Sequence, residues 1–180
     1  MNILLLPGLN NSGPSHWQSL WEKKYPQALR VQQQDWDQPE RHAWLAALSE
    51  AVNQVDGSAV LVAHSLGCAL AAWWLSLGMP GVEHKDKIKA ALLVAPPDVE
   101  RAEFPAKSFA PMPKTRLGIN TLVVASDNDP WCDLAVSREW ASSWGAEFHC
   151  IGAKGHINGD SGLGGWEQGQ HWLAGLLGKP

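Results

Sequence analysis

The chain has 180 residues, 45% of them hydrophobic, with 18 acidic against 14 basic side chains and a net charge of -4. That length suits one domain, residues 1–180, able to bury about two-thirds of its unfolded surface. The mild acidity and the lack of a basic patch argue against nucleic acid and anionic membrane as partners.

Residues 2–6 read as a short apolar strand. The run is too brief for a membrane span or a signal core and has no basic flank, so the cytoplasm is the expected location. Pro7 to Pro14 is rich in turn formers, and residues 15–24 then read as a helix with Trp17, Leu20 and Trp21 among its apolar positions. A second strand is expected over 29–33. Pro39 suits the first turn of a helix running to about Val55, where Asp56-Gly57 stops it.

Ala59-Val60-Leu61-Val62-Ala63 is an apolar run of the kind found in strands buried on both faces. His64-Ser65-Leu66-Gly67 follows, and residues 68–75 have helix-forming composition with no breaker before Gly78. Strand, Ser at a sharp turn, then helix is the context of a nucleophile elbow, and Ala63 and Gly67 supply the small residues it needs on either side. Residues 89–95 read as another buried strand, closed by Pro96-Pro97. The stretch 98–119 is Pro-rich, carries Phe104, Phe109 and Met112, and lies where a lid or pocket wall is often inserted. A strand over 121–125, a helix over Leu134–Trp144, a strand over 147–151 and a helix over 166–177 complete the chain.

Strands alternating with helices imply an α/β fold around a mostly parallel sheet of about six strands. Such a sheet places ligand groups at the carboxyl ends of its strands. Ser65, the pair Asp127 and Asp129, and His156 each follow a strand, so three loops converge on one edge. Their chain order is that of a Ser-Asp-His triad, in which His takes the Ser proton and the acid orients the His. Asp129 is preferred to Asp127. Pro130 extends the backbone of Asp129, whereas Asp127 is placed to bond its own turn. The oxyanion donors expected are the N–H of Leu66 and that of Leu9 or Asn10.

The eleven Trp residues suggest a tight core plus an aromatic-lined pocket. Trp17, Phe104, Phe109 and Trp131 are the pocket candidates, with ordinary packing the competing role. His16, His42, His84 and His171 read as surface or core residues, His149 as structural, and His64 as pointing away from the nucleophile. Cys68, Cys132 and Cys150 are widely spaced and odd in number, which suits reduced thiols. A metal site built on His149, Cys150 and His156 is disfavoured, because adjacent strand residues face opposite sides.

Pro7 through Gln18, Asp35 through Pro39, Ala63 through Gly67, Ser126 through Pro130, Gly155 through Asn158 and Ser161 through Gly164 resemble the blocks of a family of small α/β serine hydrolases. That family includes the YdeN-like bacterial proteins and retinoblastoma-binding protein nine. The resemblance implies a minimal α/β-hydrolase fold, a three-layer sandwich with no large cap domain. It also implies a triad at Ser65, Asp129 and His156 and no cofactor, metal or otherwise. The expected activity is cleavage of a small ester, thioester or amide substrate through an acyl-enzyme. A protein-interaction module with slow or vestigial activity is the alternative, and the oligomeric state is left open.

Overall fold

The computed structural model describes residues 1–77 and 85–178; Gly78 and His84 lie outside the described residues. Six strands form one sheet: β1 (Asn2–Leu6), β2 (Ala28–Arg30), β3 (Ala59–His64), β4 (Ile88–Val94), β5 (Asn120–Ala125) and β6 (Glu147–Cys150). The spatial order is β2-β1-β3-β4-β5-β6, and every pairing is parallel. Among the described residues five α-helices cover it: α1 (Trp17–Lys24), α2 (Arg41–Gln54), α3 (Leu66–Ser76), α4 (Leu134–Trp144) and α5 (Glu167–Leu177).

Both faces of the sheet are buried, which explains why its central strands are apolar runs rather than alternating ones. Leu4, Leu6, Leu61, Ala63, Ala91 and Leu93 face one layer of core, with Trp44, Leu48, Trp74, Trp140 and Trp144 packed against them. Ile3, Leu5, Val60, Val62, Leu92 and Val94 face the other, with Trp17, Trp21, Trp166 and Leu173. The result is a three-layer sandwich, and most of the tryptophans are its filling. No helix among the described residues is long and apolar enough to cross a membrane.

The element boundaries differ from the sequence expectation at a few ends. β2 is three residues long rather than five, because Val31 N–H makes the last bond to Leu5 O at 3.0 Å and the polar stretch beyond it leaves the sheet. α1 starts at Trp17, capped by the side chain of His16. α2 starts at Arg41 with Glu40 as its cap.

The Pro-rich stretch between β4 and β5 is a packed wall. Val99, Phe104, Ala106, Phe109, Met112 and Leu117 are all buried along it. Trp73 donates its indole N–H to Phe109 O at 2.8 Å, and Ser108 Oγ accepts the N–H of Arg41 at 3.1 Å, so α3 and α2 both hold it. Phe109 is fully buried edge-on against Trp44, at 5.6 Å between rings. It is a core residue and not a pocket residue, because its ring turns inward to the α2 layer. All three cysteines are free, Cys68 and Cys132 buried and Cys150 exposed. His149 packs against Trp172.

Candidate active site

Ser65 sits between β3 and α3 with φ 53° and ψ -126°, a backbone conformation that costs on the order of 1–3 kcal/mol for a non-glycine residue. Its N–H is held by Val94 O at 2.9 Å, and its own carbonyl accepts from Cys68 N–H at 2.8 Å. The turn is possible only because its surroundings are small. A β-carbon on Gly67 would lie 2.1 Å from Leu6 O, and one on Gly8 would lie 2.7 Å from Ser65 Cβ. Gln18, fully buried on α1, ties the two strand ends together there. Its side-chain amide donates to Leu6 O at 3.2 Å and Val62 O at 3.0 Å.

Ser65 Oγ lies 2.7 Å from His156 Nε2, and His156 Nδ1 lies 2.9 Å from both carboxylate oxygens of Asp129. A carboxylate only accepts, so the imidazole proton sits on Nδ1 and Nε2 is free to accept the Ser hydroxyl. The Asp129 side chain is 3% exposed. It also accepts Trp131 N–H at 2.9 Å, so Asp129 makes the local Asx turn expected of Asp127 while facing His156. Asp127 is exposed, and only its backbone is engaged, with Gly152 O.

The loop carrying His156 is held from two directions. From the β5 side, Ser126 Oγ accepts Lys154 N–H at 2.9 Å and Asn128 Oδ1 accepts Gly155 N–H at 2.7 Å. From the opposite layer, His64 Nε2 lies 2.8 Å from His156 O, and Trp17 donates its indole N–H to Ile157 O at 2.8 Å. Trp17 is therefore a brace for the His156 loop. At 1% exposure it does not reach the pocket, because Trp166 and Trp21 enclose its ring. Asn128, Gln18 and the bracing role of His64 escape sequence reasoning, although Asn128 carries a usable signal as an Asx residue between two aspartates.

The loop after β1 supplies the facing wall. Asn10 and Asn11 both have positive φ, 61° and 64°. Arg30 donates to Asn11 Oδ1 at 2.8 Å and Ser12 O at 2.9 Å, fixing that loop from β2. Asn10 N–H is spent on Trp36 O at 2.9 Å, which removes Asn10 as an oxyanion donor. The N–H groups of Leu9 and Leu66 meet no acceptor among the described residues. A β-carbon on Gly8 would come within 3.1 Å of Leu66 N, so glycine there keeps the approach to that N–H open.

A cavity of about 310 Å³ opens over Ser65 and His156. Phe104 and Trp131 border it, edge to face at 6.0 Å, with Leu9, Asn10, His16 and His64 on other sides. His16, expected as an ordinary surface or core residue, and His64, expected to point away from the nucleophile, both belong to its lining. Burial pushes His64 well below its usual range, with the neighbouring His156 adding to the effect. Burial, then the nearby Arg30 charge, lowers His16 to about 4. Both rings are neutral at pH 7.

A family model described as serine hydrolase matches residues 3–175. A search of curated proteins found no match. Among solved structures, a YdeN-like protein of Pectobacterium atrosepticum is 32% identical with a TM-score of 0.85, over 97% of this chain and 89% of that one. The ydeN gene product of B. subtilis superposes with a TM-score of 0.77 at 19% identity, over 99% of each chain. Est1E of Butyrivibrio proteoclasticus, solved with ferulic acid bound, shares the fold with a TM-score of 0.68 at 12% identity, over 98% of this chain and 89% of that one. With an α/β-hydrolase sandwich lacking a large cap, and a family match spanning nearly its whole length, the chain belongs to the serine hydrolase family.

Proposed function

We propose that this hydrolase transfers a small acyl group from an ester, thioester or amide to water through Ser65. The observation that carries the reading is the continuous relay from Ser65 Oγ to His156 Nε2 at 2.7 Å and from His156 Nδ1 to Asp129 at 2.9 Å. His156 takes the hydroxyl proton as Ser65 Oγ bonds to the substrate carbonyl carbon. Asp129 holds the ring in the reactive tautomer and stabilises the imidazolium. The N–H groups of Leu66 and Leu9 receive the oxyanion, with the α3 N-terminus adding its dipole. Collapse expels the leaving group, protonated by His156, and a water then repeats the steps on the acyl-enzyme. With His16 and His64 neutral, no second positive charge opposes the imidazolium at pH 7. The 310 Å³ cavity is at the small end of ligand sites, which favours short acyl or compact aromatic groups over long lipids.

A fluorophosphonate probe tests the reading. Covalent labelling of the folded protein at Ser65, abolished in Ser65→Ala, is the expected result. Folded protein that stays unlabelled would remove Ser65 as the nucleophile and leave an interaction module on a hydrolase scaffold.

A further inference from the structure

Asp129 and His156 stand on separate loops, one after β5 and one after β6, yet must meet at hydrogen-bond distance. The register of the two strands ends at Ala125 opposite Cys150. Backbone bonds carry the pairing two steps further, from Ile151 N–H to Ala125 O at 3.0 Å and from Asp127 N–H to Gly152 O at 3.3 Å. Past that point the acceptors are side-chain oxygens of the acid's loop. Lys154 N–H donates to Ser126 Oγ at 2.9 Å, and Gly155 N–H donates to Asn128 Oδ1 at 2.7 Å. Ser126 Oγ has one proton to give, with Asn128 Oδ1 at 2.8 Å and Gly152 O at 3.0 Å as its acceptors. Ser126 is 1% exposed, which leaves water little access to take its place. Asn128 is exposed, at a position that can carry a charge without burying it. The next contact along both loops is Asp129 with His156, each one position past the Asn128–Gly155 bond.

We infer that Ser126 and Asn128 are positioning residues, extending the β5–β6 ladder through their side chains to set Asp129 on His156. This role rests on the acyl-transfer reading above and adds to it the supports of its acid and base. β6 is the last strand of the sheet and only four residues long, so β5 and its loop are its neighbours on one side alone. A displacement too small to unfold the loop still costs turnover, since reacting groups tolerate little misplacement.

Ser126→Ala, Asn128→Ala and Asn128→Asp test it, with two readouts. One is turnover of 4-nitrophenyl acetate. The other is the low-field proton resonance of His156 Nδ1–H, assigned by its loss in His156→Asn, which reports the bond to Asp129 without turnover. Ser126→Ala should lower kcat about tenfold with KM within about twofold, and should move or broaden that resonance. In an Asp129→Asn background the same change should cost under about threefold, because the bond it sets is already lost. Asn128→Ala should cost about three- to fivefold, and Asn128→Asp, which keeps the acceptor oxygen, should return to within about twofold of wild type. A kcat for Ser126→Ala within about twofold of wild type, or an equal loss in the Asp129→Asn background, overturns the inference and leaves Ser126 as a loop anchor alone. If Ser126→Ala does not fold, the Asn128 variants decide, and equal losses in Asn128→Ala and Asn128→Asp overturn it. Wild-type protein that leaves the ester intact overturns the acyl-transfer reading instead. The resonance then judges the ladder, which an unmoved signal in both alanine variants overturns.

Discussion

The Ser65 turn takes its shape from short-range sequence, whereas His156 is placed by residues remote in the chain. Around Ser65, the apolar run of β3, the small neighbours Ala63 and Gly67 and the immediate start of α3 dictate the bend. The other segments that reach it, through Gly8, Gln18, Leu6 O and Val94 O, are the neighbouring strands and the first helix packed on them. His156 has a local turn, with Ile157 N–H on Lys154 O at 3.2 Å, but leans far more on distant segments. Its carbonyl is held by His64, 92 positions away, the next carbonyl by Trp17, 140 positions away, and its ring by Asp129, 27 positions away. Strain can be stored in a short turn when the strand and helix flanking it are rigid. The loop between β6 and α5 is far longer, and other segments tie it at its N–H groups as well as its carbonyls.

Substitutions on the two sides should therefore behave differently. The largest effect is expected at Ser65, where Ser65→Ala removes the reacting group without altering its supports. Loss of kcat on an activated ester by a factor on the order of 10⁶, with an unchanged melting temperature, is the expected outcome. Retention of a few per cent of wild-type turnover would displace Ser65 from its role. Next comes the acid. Asp129→Asn leaves His156 in the wrong tautomer and should lower kcat by about 10³–10⁴, while Asp127→Asn should cost under about tenfold. Parallel kinetics at pH 7 on one ester decide it, and a larger loss at Asp127 reverses the assignment.

The remote braces should cost less catalysis and more stability. Trp17→Phe keeps the ring but strands the Ile157 carbonyl; about tenfold in kcat and about 1–3 kcal/mol in stability are expected. If stability falls and kcat does not, the His156 loop is held without Trp17. Within the wall, Phe109→Ala should cost about 3–5 kcal/mol and leave acyl preference unchanged. Trp131→Ala, at a residue 38% exposed on the cavity rim, should shift preference with little change in melting temperature.

The smallest effect concerns pH. The unfolded chain takes up a proton on His16 and His64 near pH 6.5, whereas the folded chain resists at both, His16 down to about 4. Stability from these groups is therefore complete above the unfolded value and lost as pH falls from about 6.5 towards 4. The melting temperature should drop between pH 7 and 5, and drop less in His16→Asn. An equal drop in both proteins would mean other groups carry the acid sensitivity.

Sequence alone determined the order of strands and helices, the single parallel sheet, the elbow at Ser65 and the choice of Asp129 and His156 as the residues to compare. Each depends on periodicity, on residue size, or on position just past a strand end, and all three can be read in one dimension. What it could not supply was the direction of side chains on loops and early helical turns. Trp17 follows the cavity-lining His16, and Phe109 belongs to the same wall as the cavity-lining Phe104, yet both rings turn into the two core layers, because burying that much apolar surface outweighs exposure at a pocket. Asn10 and Leu9 are equivalent donors in the sequence, and only the fold puts Trp36 O on the N–H of Asn10. His16 reads as a bland residue and His64 as one turned away from Ser65, because their environment is made by three segments meeting. Only the tertiary structure decides which polar atoms are spent on the fold and which are left for a substrate.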